Sequence, residues 1–283
     1  MSFVFATDFS NERCFTIRSK RPVRKRVKRS NYKSLRRLLK FDEEDVSDAT
    51  LKLRLLKSLK CTLRYEKQAW EAGAKLVAGV DEVGRGSLFG PVVAAAVILD
   101  PAYRIRGLRD SKLLDRETRE KLAPRIRENC FAWAVAAVDV AIIDQINIYW
   151  ASKRAMEEAV GRLTLRPDHL LVDAMCLTCE CAQTPIIHGD ALSASIAAAS
   201  IIAKVERDAM MREFDGIYPG YGLASNKGYS APAHLKALRE KGPTPMHRMS
   251  FAPVWMANAP QEVLEFMSED TSTTVSDSTD LDS

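Results

Sequence analysis

Short runs of apolar residues alternate with polar and glycine-rich stretches from about residue 76 onward. Residues 76–80 and 92–99 are such runs, and a glycine-rich stretch, residues 84–91, lies between them. Apolar runs of this length that are bounded by Gly and Pro are typical of buried strands. This part of the chain therefore predicts a strand, a turn and a second strand, with the adjacent carboxylates of Asp81 and Glu82 where the first strand ends.

Further along the chain, apolar positions follow either the period of a strand or the period of a helix. Residues 131–138 and 169–172 are strand-like runs, and residues 186–190 form a strand-to-helix junction. Helical spacing predicts helices over residues 115–129, 149–163, 193–211 and 233–241. The chain thus predicts a domain that mixes strands and helices.

Upstream of the first strand, leucines mark one face of a further helix. Ser47 can serve as its N-cap, and leucines follow at positions 51, 55, 56, 59 and 63. We expect this helix to continue to Trp70 and to end near Gly73. Residues 31–73 are therefore predicted to be a helical extension next to a main domain of residues 74–258.

The composition suits a protein that folds in water. The chain has 283 residues, of which 46% are hydrophobic, enough for one sizeable domain with extensions or for two small domains. No apolar run approaches the length of a membrane span, and the first residues lack the features of a signal peptide. We expect a cytoplasmic protein whose six cysteines are thiols.

Charge is distributed unevenly along the chain. Residues 18–29 carry eight Lys and Arg and no acid, whereas residues 261–283 carry seven acids and no base. Residues 1–30 are predicted to be a disordered basic arm, which either binds nucleic acid through phosphate contacts or has no role. Residues 259–283 are predicted to be a disordered acidic tail.

The acids at the end of the first strand are the first candidates for chemistry. Two carboxylates at a buried strand end repel each other, and a divalent cation that prefers oxygen ligands removes that cost. The simpler alternative is a solvated strand end. The glycines beside them match neither a dinucleotide fingerprint nor a P-loop, but they let a ligand approach the backbone, and Arg85 can bind phosphate there.

Five motifs, in order, carry a resemblance to a known family. GVDEVGRGSLFGPVVAAAVIL resembles the opening motif of bacterial ribonuclease HII, and LVDA, GDALSASIAAASIIAKVERD, NKGY and HRMSFAPV are similar to its later motifs. The resemblance covers roughly residues 63–255. The sequence departs from the family at His188, where Lys is frequent, and at Asn226, where His is common.

The resemblance implies a fold and a reaction. The fold would be the α/β RNase H-like fold, a mixed central sheet flanked by helices. The catalytic and metal-binding acids would be Asp81, Glu82, Asp173 and Asp190, with two Mg²⁺ or Mn²⁺ ions acting in catalysis. A monomer would cleave the RNA strand of RNA–DNA hybrids, including single ribonucleotides embedded in duplex DNA, and would leave 5′-phosphate and 3′-hydroxyl ends.

The resemblance also implies substrate-binding residues. These are Gly84, Arg85 and Gly86 of the glycine turn, Tyr229 near the sugar at the RNA–DNA junction, and Ser111 and Lys112 at the phosphate backbone. Ordinary packing is the alternative for Tyr229, and a helix cap is the alternative for Asp110 and Ser111.

Three further alternatives remain open on the sequence. Cys176, Cys179 and Cys181, with His188, either bind zinc or are incidental thiols. The enzyme could be of the related HIII type, which activity on a single embedded ribonucleotide would distinguish. A non-catalytic module that binds nucleic acid is the third, and it would bind more tightly with metal without cutting.

Overall fold

The structure, a computed structural model, describes residues 59–259. The predicted basic arm, residues 31–58 of the predicted helical extension, and the acidic tail beyond Ala259 lie outside the described residues.

A mixed five-stranded sheet forms the centre of the domain, with the strand order β3-β2-β1-β4-β5. The strands are β1 (Val77–Val83), β2 (Val92–Leu99), β3 (Cys130–Val138), β4 (His169–Asp173) and β5 (Ala182–Ile186). The first three strands pair antiparallel, whereas β4 runs parallel to both β1 and β5. This arrangement confirms the predicted mixed sheet.

Helices surround the sheet and connect its strands. They are α1 (Arg64–Glu71), α2 (Arg116–Glu128), α3 (Val140–Gly161), α4 (Gly189–Leu192), α5 (Ala194–Ile217), α6 (Leu223–Asn226), α7 (Pro232–Lys241) and α8 (Ala252–Asn258). A short 3₁₀ helix spans Ser111–Leu113. Among residues 59–259, no helix combines the length and hydrophobicity that crossing a membrane requires.

Strand β2 is buried along its whole length because helices cover both faces of the sheet. Its side chains alternate between the two sides. Ala94 and Ala96 join the core beneath α3 with Met156, while Ala95 and Val97 join the core beneath α5. Burial on both faces explains why this strand is an unbroken apolar run in the sequence.

Helix α5 begins in close contact with β1. A Cβ atom on Gly79 would lie 2.1 Å from the backbone carbon of Ser195, so only glycine permits this approach. On α1, the buried carboxylate of Glu66 accepts hydrogen bonds from Ser193 Oγ (2.6 Å) and from the Ser195 N–H (2.8 Å). Glu66 therefore satisfies donors at the first turn of α5 and fixes this end of the helix against the sheet.

Several predicted element boundaries are wrong. The helix expected to continue from Ser47 to Trp70 is not helical at residues 59–63, and α1 begins at Arg64, because Thr62 instead pairs with the backbone near Ser193. Helix α3 begins at Val140, nine residues early, because the side chain of Asp139 caps it. Strand β1 continues to Val83, so the paired acids lie within it and not after it.

Helix α3 contains one break that its sequence pattern did not predict. Asn147 has a left-handed φ of 63°, and its side-chain oxygen accepts a hydrogen bond from the Tyr149 N–H at 2.9 Å. The side chain thus restarts the helix as an internal N-cap. Helix α5 also exceeds its prediction, ending at Ile217 instead of Met211.

Candidate active site

Two of the four predicted acids lie side by side where the pairing of two adjacent parallel strands stops, Asp81 within β1 and Asp173 at the end of β4. In the register of β1 and β4, Val80 lies opposite Val172, and Asp81 and Asp173 are the next residues of the two strands. Asp190 follows β5, the neighbour of β4, on the short helix α4. Parallel pairing therefore brings acids from three separate sequence motifs to one edge of the sheet, as the resemblance implied.

Asp81 shows the electrostatic cost of this grouping. It is 5% exposed, and its pKa is raised well above the usual value, first by burial and then by the charges of Glu82, Asp173 and Asp190. Burial also raises the pKa of Glu82 and of Asp173. The four carboxylates therefore act on one another, and the site favours any cation that neutralises them.

Each of the four acids accepts a hydrogen bond, and in Asp81 it is Oδ1 that accepts the Glu82 N–H at 2.8 Å. Glu82 pairs with Arg85 at 3.2 Å, and Asp190 pairs with Lys112 at 3.2 Å. Asp173 Oδ1 accepts the N–H of Gly189 at 2.7 Å. These contacts hold part of the negative charge but leave Glu82 Oε2 buried without a hydrogen-bond partner.

The donor set fits a hard divalent cation. It consists of carboxylate oxygens, and Glu82 Oε2 is a buried acceptor to which no donor among residues 59–259 bonds. Within residues 59–259, however, no group of three or more His, Cys, Asp or Glu side chains is arranged to hold a metal ion as it stands. A metal ion bound here would compete with Arg85, Lys112 and the Gly189 N–H for these carboxylate oxygens.

The candidate zinc ligands Cys176, Cys179, Cys181 and His188 also lie within residues 59–259, so they are not arranged to hold a metal ion in this structure. Cys176 is exposed, and Cys179 Sγ lies 3.5 Å from Cys181 Sγ. Burial raises the pKa of Cys181 to about 12, so this sulfur stays a thiol at neutral pH.

The glycine turn and Tyr229 lie side by side, as expected for residues that bind one substrate. The Leu88 N–H donates to the Gly228 carbonyl at 2.8 Å, which joins the two loops. A Cβ atom on Gly86 would lie 3.9 Å from the Tyr229 ring. Tyr229 is 37% exposed, so its ring is available at the surface beside the turn.

The side chains of the neighbouring residues Ser111 and Lys112 lie in different surroundings. Ser111 is buried, and its hydroxyl shares a 2.9 Å hydrogen bond with Ser200 Oγ. The Asp110 side chain accepts the Lys112 N–H, which is the helix cap considered as the alternative. The Lys112 side chain is 77% exposed beside Asp190, so of the two residues only Lys112 presents a side chain to solvent at the acids.

Sequence reasoning missed four buried basic residues behind the glycine turn. Arg207, Arg248, His234 and His247 are almost fully buried. Arg248 donates to the carbonyls of Gly90 (3.0 Å) and Arg85 (2.8 Å). Three of the four, Arg207, His247 and Arg248, lie in motifs of the family resemblance, but a basic residue in a sequence gives no sign that it is buried.

The two histidines form a defined hydrogen-bond chain. The Tyr229 carbonyl can only accept, so His234 Nδ1 donates to it (2.9 Å) and His234 Nε2 accepts from His247 Nε2 (3.2 Å). His247 Nδ1 in turn accepts the Thr244 N–H at 2.9 Å. This pattern of hydrogen bonds requires both imidazoles to be neutral, and burial lowers the pKa of both.

Comparison with known proteins identifies the family. The profile of the Ribonuclease HII family matches residues 78–254. The ribonuclease HII of Koribacter versatilis (strain Ellin345) is 72% identical over 233 residues, which cover 82% of this chain and 92% of that protein.

Solved structures agree with the predicted fold. The crystal structure of ribonuclease H2 from Pyrococcus horikoshii OT3 has a TM-score of 0.57 and 27% identity, covering 65% of this chain and 97% of that one. Bst-RNase HIII in complex with Mn²⁺ has a TM-score of 0.52 and 22% identity, covering 67% and 71% of the two chains, and shares the fold. With the mixed sheet, these findings confirm the RNase H-like fold, and the chain belongs to the ribonuclease HII family of RNA–DNA hybrid endonucleases.

Proposed function

We propose that this enzyme cleaves at single ribonucleotides embedded in duplex DNA as well as within longer hybrids, and that it leaves 5′-phosphate and 3′-hydroxyl ends. The observation that carries the proposal is the grouping of Asp81, Glu82, Asp173 and Asp190 at one edge of the sheet, where the other three charges raise the pKa of Asp81 in addition to its burial. Such a cluster serves a reaction in which cations and a phosphate diester meet.

The same four acids are the proposed ligands of two divalent ions. When bound, such ions supply charge neutralisation at the phosphate and lower the pKa of the attacking water. The chain's own contribution is to hold three of the carboxylates on strands β1 and β4 and that of Asp190 on helix α4, and the Gly189 N–H fixes one oxygen of Asp173. Lys112 and Arg85 keep the acids compensated and can turn toward phosphate as substrate and ions arrive.

Recognition of the ribonucleotide is assigned to the glycine turn and Tyr229. A protein distinguishes ribose from deoxyribose through the 2′-hydroxyl. Gly86 is exposed, so its backbone can approach this hydroxyl, and the Tyr229 ring can stack on the sugar beside it. Gly84 is buried against Arg207, so its predicted direct contact with substrate is replaced by a place behind the turn. Their adjacency supports a single binding site that reads one ribonucleotide.

The test is cleavage of three labelled duplexes by the full chain: DNA with one ribonucleotide, a long RNA–DNA hybrid, and all-DNA. Mg²⁺ and Mn²⁺ are compared, since the HIII relative was solved with Mn²⁺. We expect a cut on the 5′ side of the single ribonucleotide, with a 3′-hydroxyl that a polymerase extends. Cleavage of the long hybrid alone would contradict the proposed specificity and favour an HIII-like activity.

A further inference from the structure

Arg207 is a buried cation that the catalytic proposal does not use. It lies on α5 and is fully buried. Among residues 59–259, no carboxylate lies within ion-pair distance of its guanidinium. A buried cation without a paired acid is costly, and hydrogen bonds must offset that cost.

The N–H groups of the guanidinium donate hydrogen bonds to two loops. Towards the glycine-rich stretch, Nε donates to the Pro91 carbonyl (3.0 Å), and Nη2 donates to the Phe89 carbonyl (3.0 Å) and Ser87 Oγ (2.8 Å). Towards the loop of Tyr229, Nη1 donates to the Lys227 carbonyl (2.9 Å). One planar group therefore joins the two loops that carry the proposed substrate contacts.

The fit around Arg207 is close on both sides. A Cβ atom on Gly84, which has a φ of 93°, would lie 2.2 Å from Arg207 Nε. The Arg207 guanidinium carbon lies 5.8 Å from the centre of the Tyr229 ring. The side chain thus stands directly behind the glycine turn and beside the aromatic ring, where it sets their separation.

We propose that Arg207 is a positioning residue that fixes the glycine turn and Tyr229 at the spacing of one ribonucleotide. The inference rests on the proposed function of these two segments. A fork of five donors in one plane is what the four acceptors need, and the single ammonium of lysine cannot reach them all. A single embedded ribonucleotide must satisfy both segments at once, whereas a long hybrid offers many positions for binding and depends less on their spacing.

The test compares Arg207→Lys with the wild-type full chain on the single-ribonucleotide duplex and on the long hybrid. We expect kcat/KM to fall about tenfold or more on the single-ribonucleotide duplex, and we expect the loss on the long hybrid to be several-fold smaller. In a Tyr229→Ala background, Arg207→Lys should add less than about twofold, because the ring it positions is gone. Equal losses on both substrates, or losses that multiply fully with Tyr229→Ala, would overturn the proposal.

Two further variants keep the outcome interpretable. Arg127→Lys is the control: Arg127 pairs with Glu206 beside Arg207 and stacks on Trp133, away from both loops, and should leave the ratio of the two activities unchanged. If Arg207→Lys does not fold, Ser87→Ala removes one of its acceptors and should shift the ratio in the same direction; an unchanged ratio would then overturn the proposal. Failure of the wild type to cut the single ribonucleotide refutes the proposed function, whereas normal wild-type cleavage with an unchanged ratio in the variants refutes only the role of Arg207.

Discussion

Asp81 and Asp190 are the two most buried of the four acids. Neither position can be explained by folding alone, since a buried carboxylate near like charges is unfavourable. Asp81 is the residue on which the other three charges act together. At the residue scale, the arrangement sacrifices stability for a negative site that a cation can occupy.

Asp81→Asn should separate activity from stability. We expect at least about a hundredfold loss of cleavage, since Asp81 is a proposed metal ligand and even loss of a residue that only hydrogen-bonds to a ligand typically costs tenfold to a hundredfold. The thermal unfolding temperature without metal should stay the same or rise, because the amide removes a buried like charge. A variant that cleaves normally, or one that unfolds well below the wild type, would contradict this role.

Lys112 offers a milder test at the same site. Because its side chain is largely exposed, Lys112→Ala should change the free energy of unfolding by less than about 1 kcal/mol. If Lys112 turns to phosphate, the variant should have a higher KM. The slope of the logarithm of the duplex-binding constant against the logarithm of the salt concentration, measured by fluorescence anisotropy, should be smaller by about one. An unchanged salt dependence would leave Lys112 as a partner of Asp190 only.

At the scale of elements, glycine decides where helix and sheet meet. Gly79→Ala would place a Cβ atom against the backbone of α5, which cannot move as a side-chain end can. We expect a loss of about 1–3 kcal/mol or more in the free energy of unfolding, measured in urea. Gly161→Ala, at the end of α3 with nothing within 4 Å, is the control and should be neutral or stabilising. Equal effects would refute close packing at Gly79.

The histidine chain beneath the Tyr229 loop predicts a pH dependence of stability. Burial and the neighbouring His234 lower the pKa of His247 to about 4, from an ordinary value near 6.5. Between these values the unfolded chain binds a proton that the folded chain does not, so stability falls as the pH drops through this window. The loss from this group is at most roughly 3 kcal/mol.

Urea unfolding of wild type and His247→Asn between pH 7 and pH 4 measures this contribution. The raised pKa values of Asp81 and Glu82 act in the opposite direction, so the difference between the two proteins is the informative quantity. We expect the difference to shrink as the pH falls, because the wild type loses the stability that the variant lacks. A difference independent of pH would show that His247 is not held neutral.

Across the whole molecule, the sequence predicted the sheet better than the helices. Strand β2 was predicted to the residue because burial on both faces produces an unbroken apolar run. The start of α1 and the break at Asn147 were missed, since both depend on contacts with single polar groups. The pairing of Thr62 is a tertiary contact and the cap at Asn147 is a local one, and neither leaves a periodic pattern in the sequence.

The site was predicted only in part for a related reason. The grouping of the four acids followed from the family resemblance, and the parallel pairing of β1 with β4 gives its physical cause. Arg207 and the two histidines were not identified. Arg207 donates to the carbonyls of Pro91 and Phe89, far away in the sequence, and the histidines depend on the contact of His234 on α7 with His247 in the following loop. Burial of a charged side chain becomes visible only when the whole fold is known.

One rate measurement tests whether the four acids form a cation-dependent cleavage site. Cleavage of the single-ribonucleotide duplex is followed with Mg²⁺, with Mn²⁺ and with chelator, for the wild type and for Asp81→Asn. We expect cutting by the wild type with either metal, none with chelator, and at least about a hundredfold loss in the variant. Undiminished cutting in chelator, or by folded Asp81→Asn, would contradict this expectation.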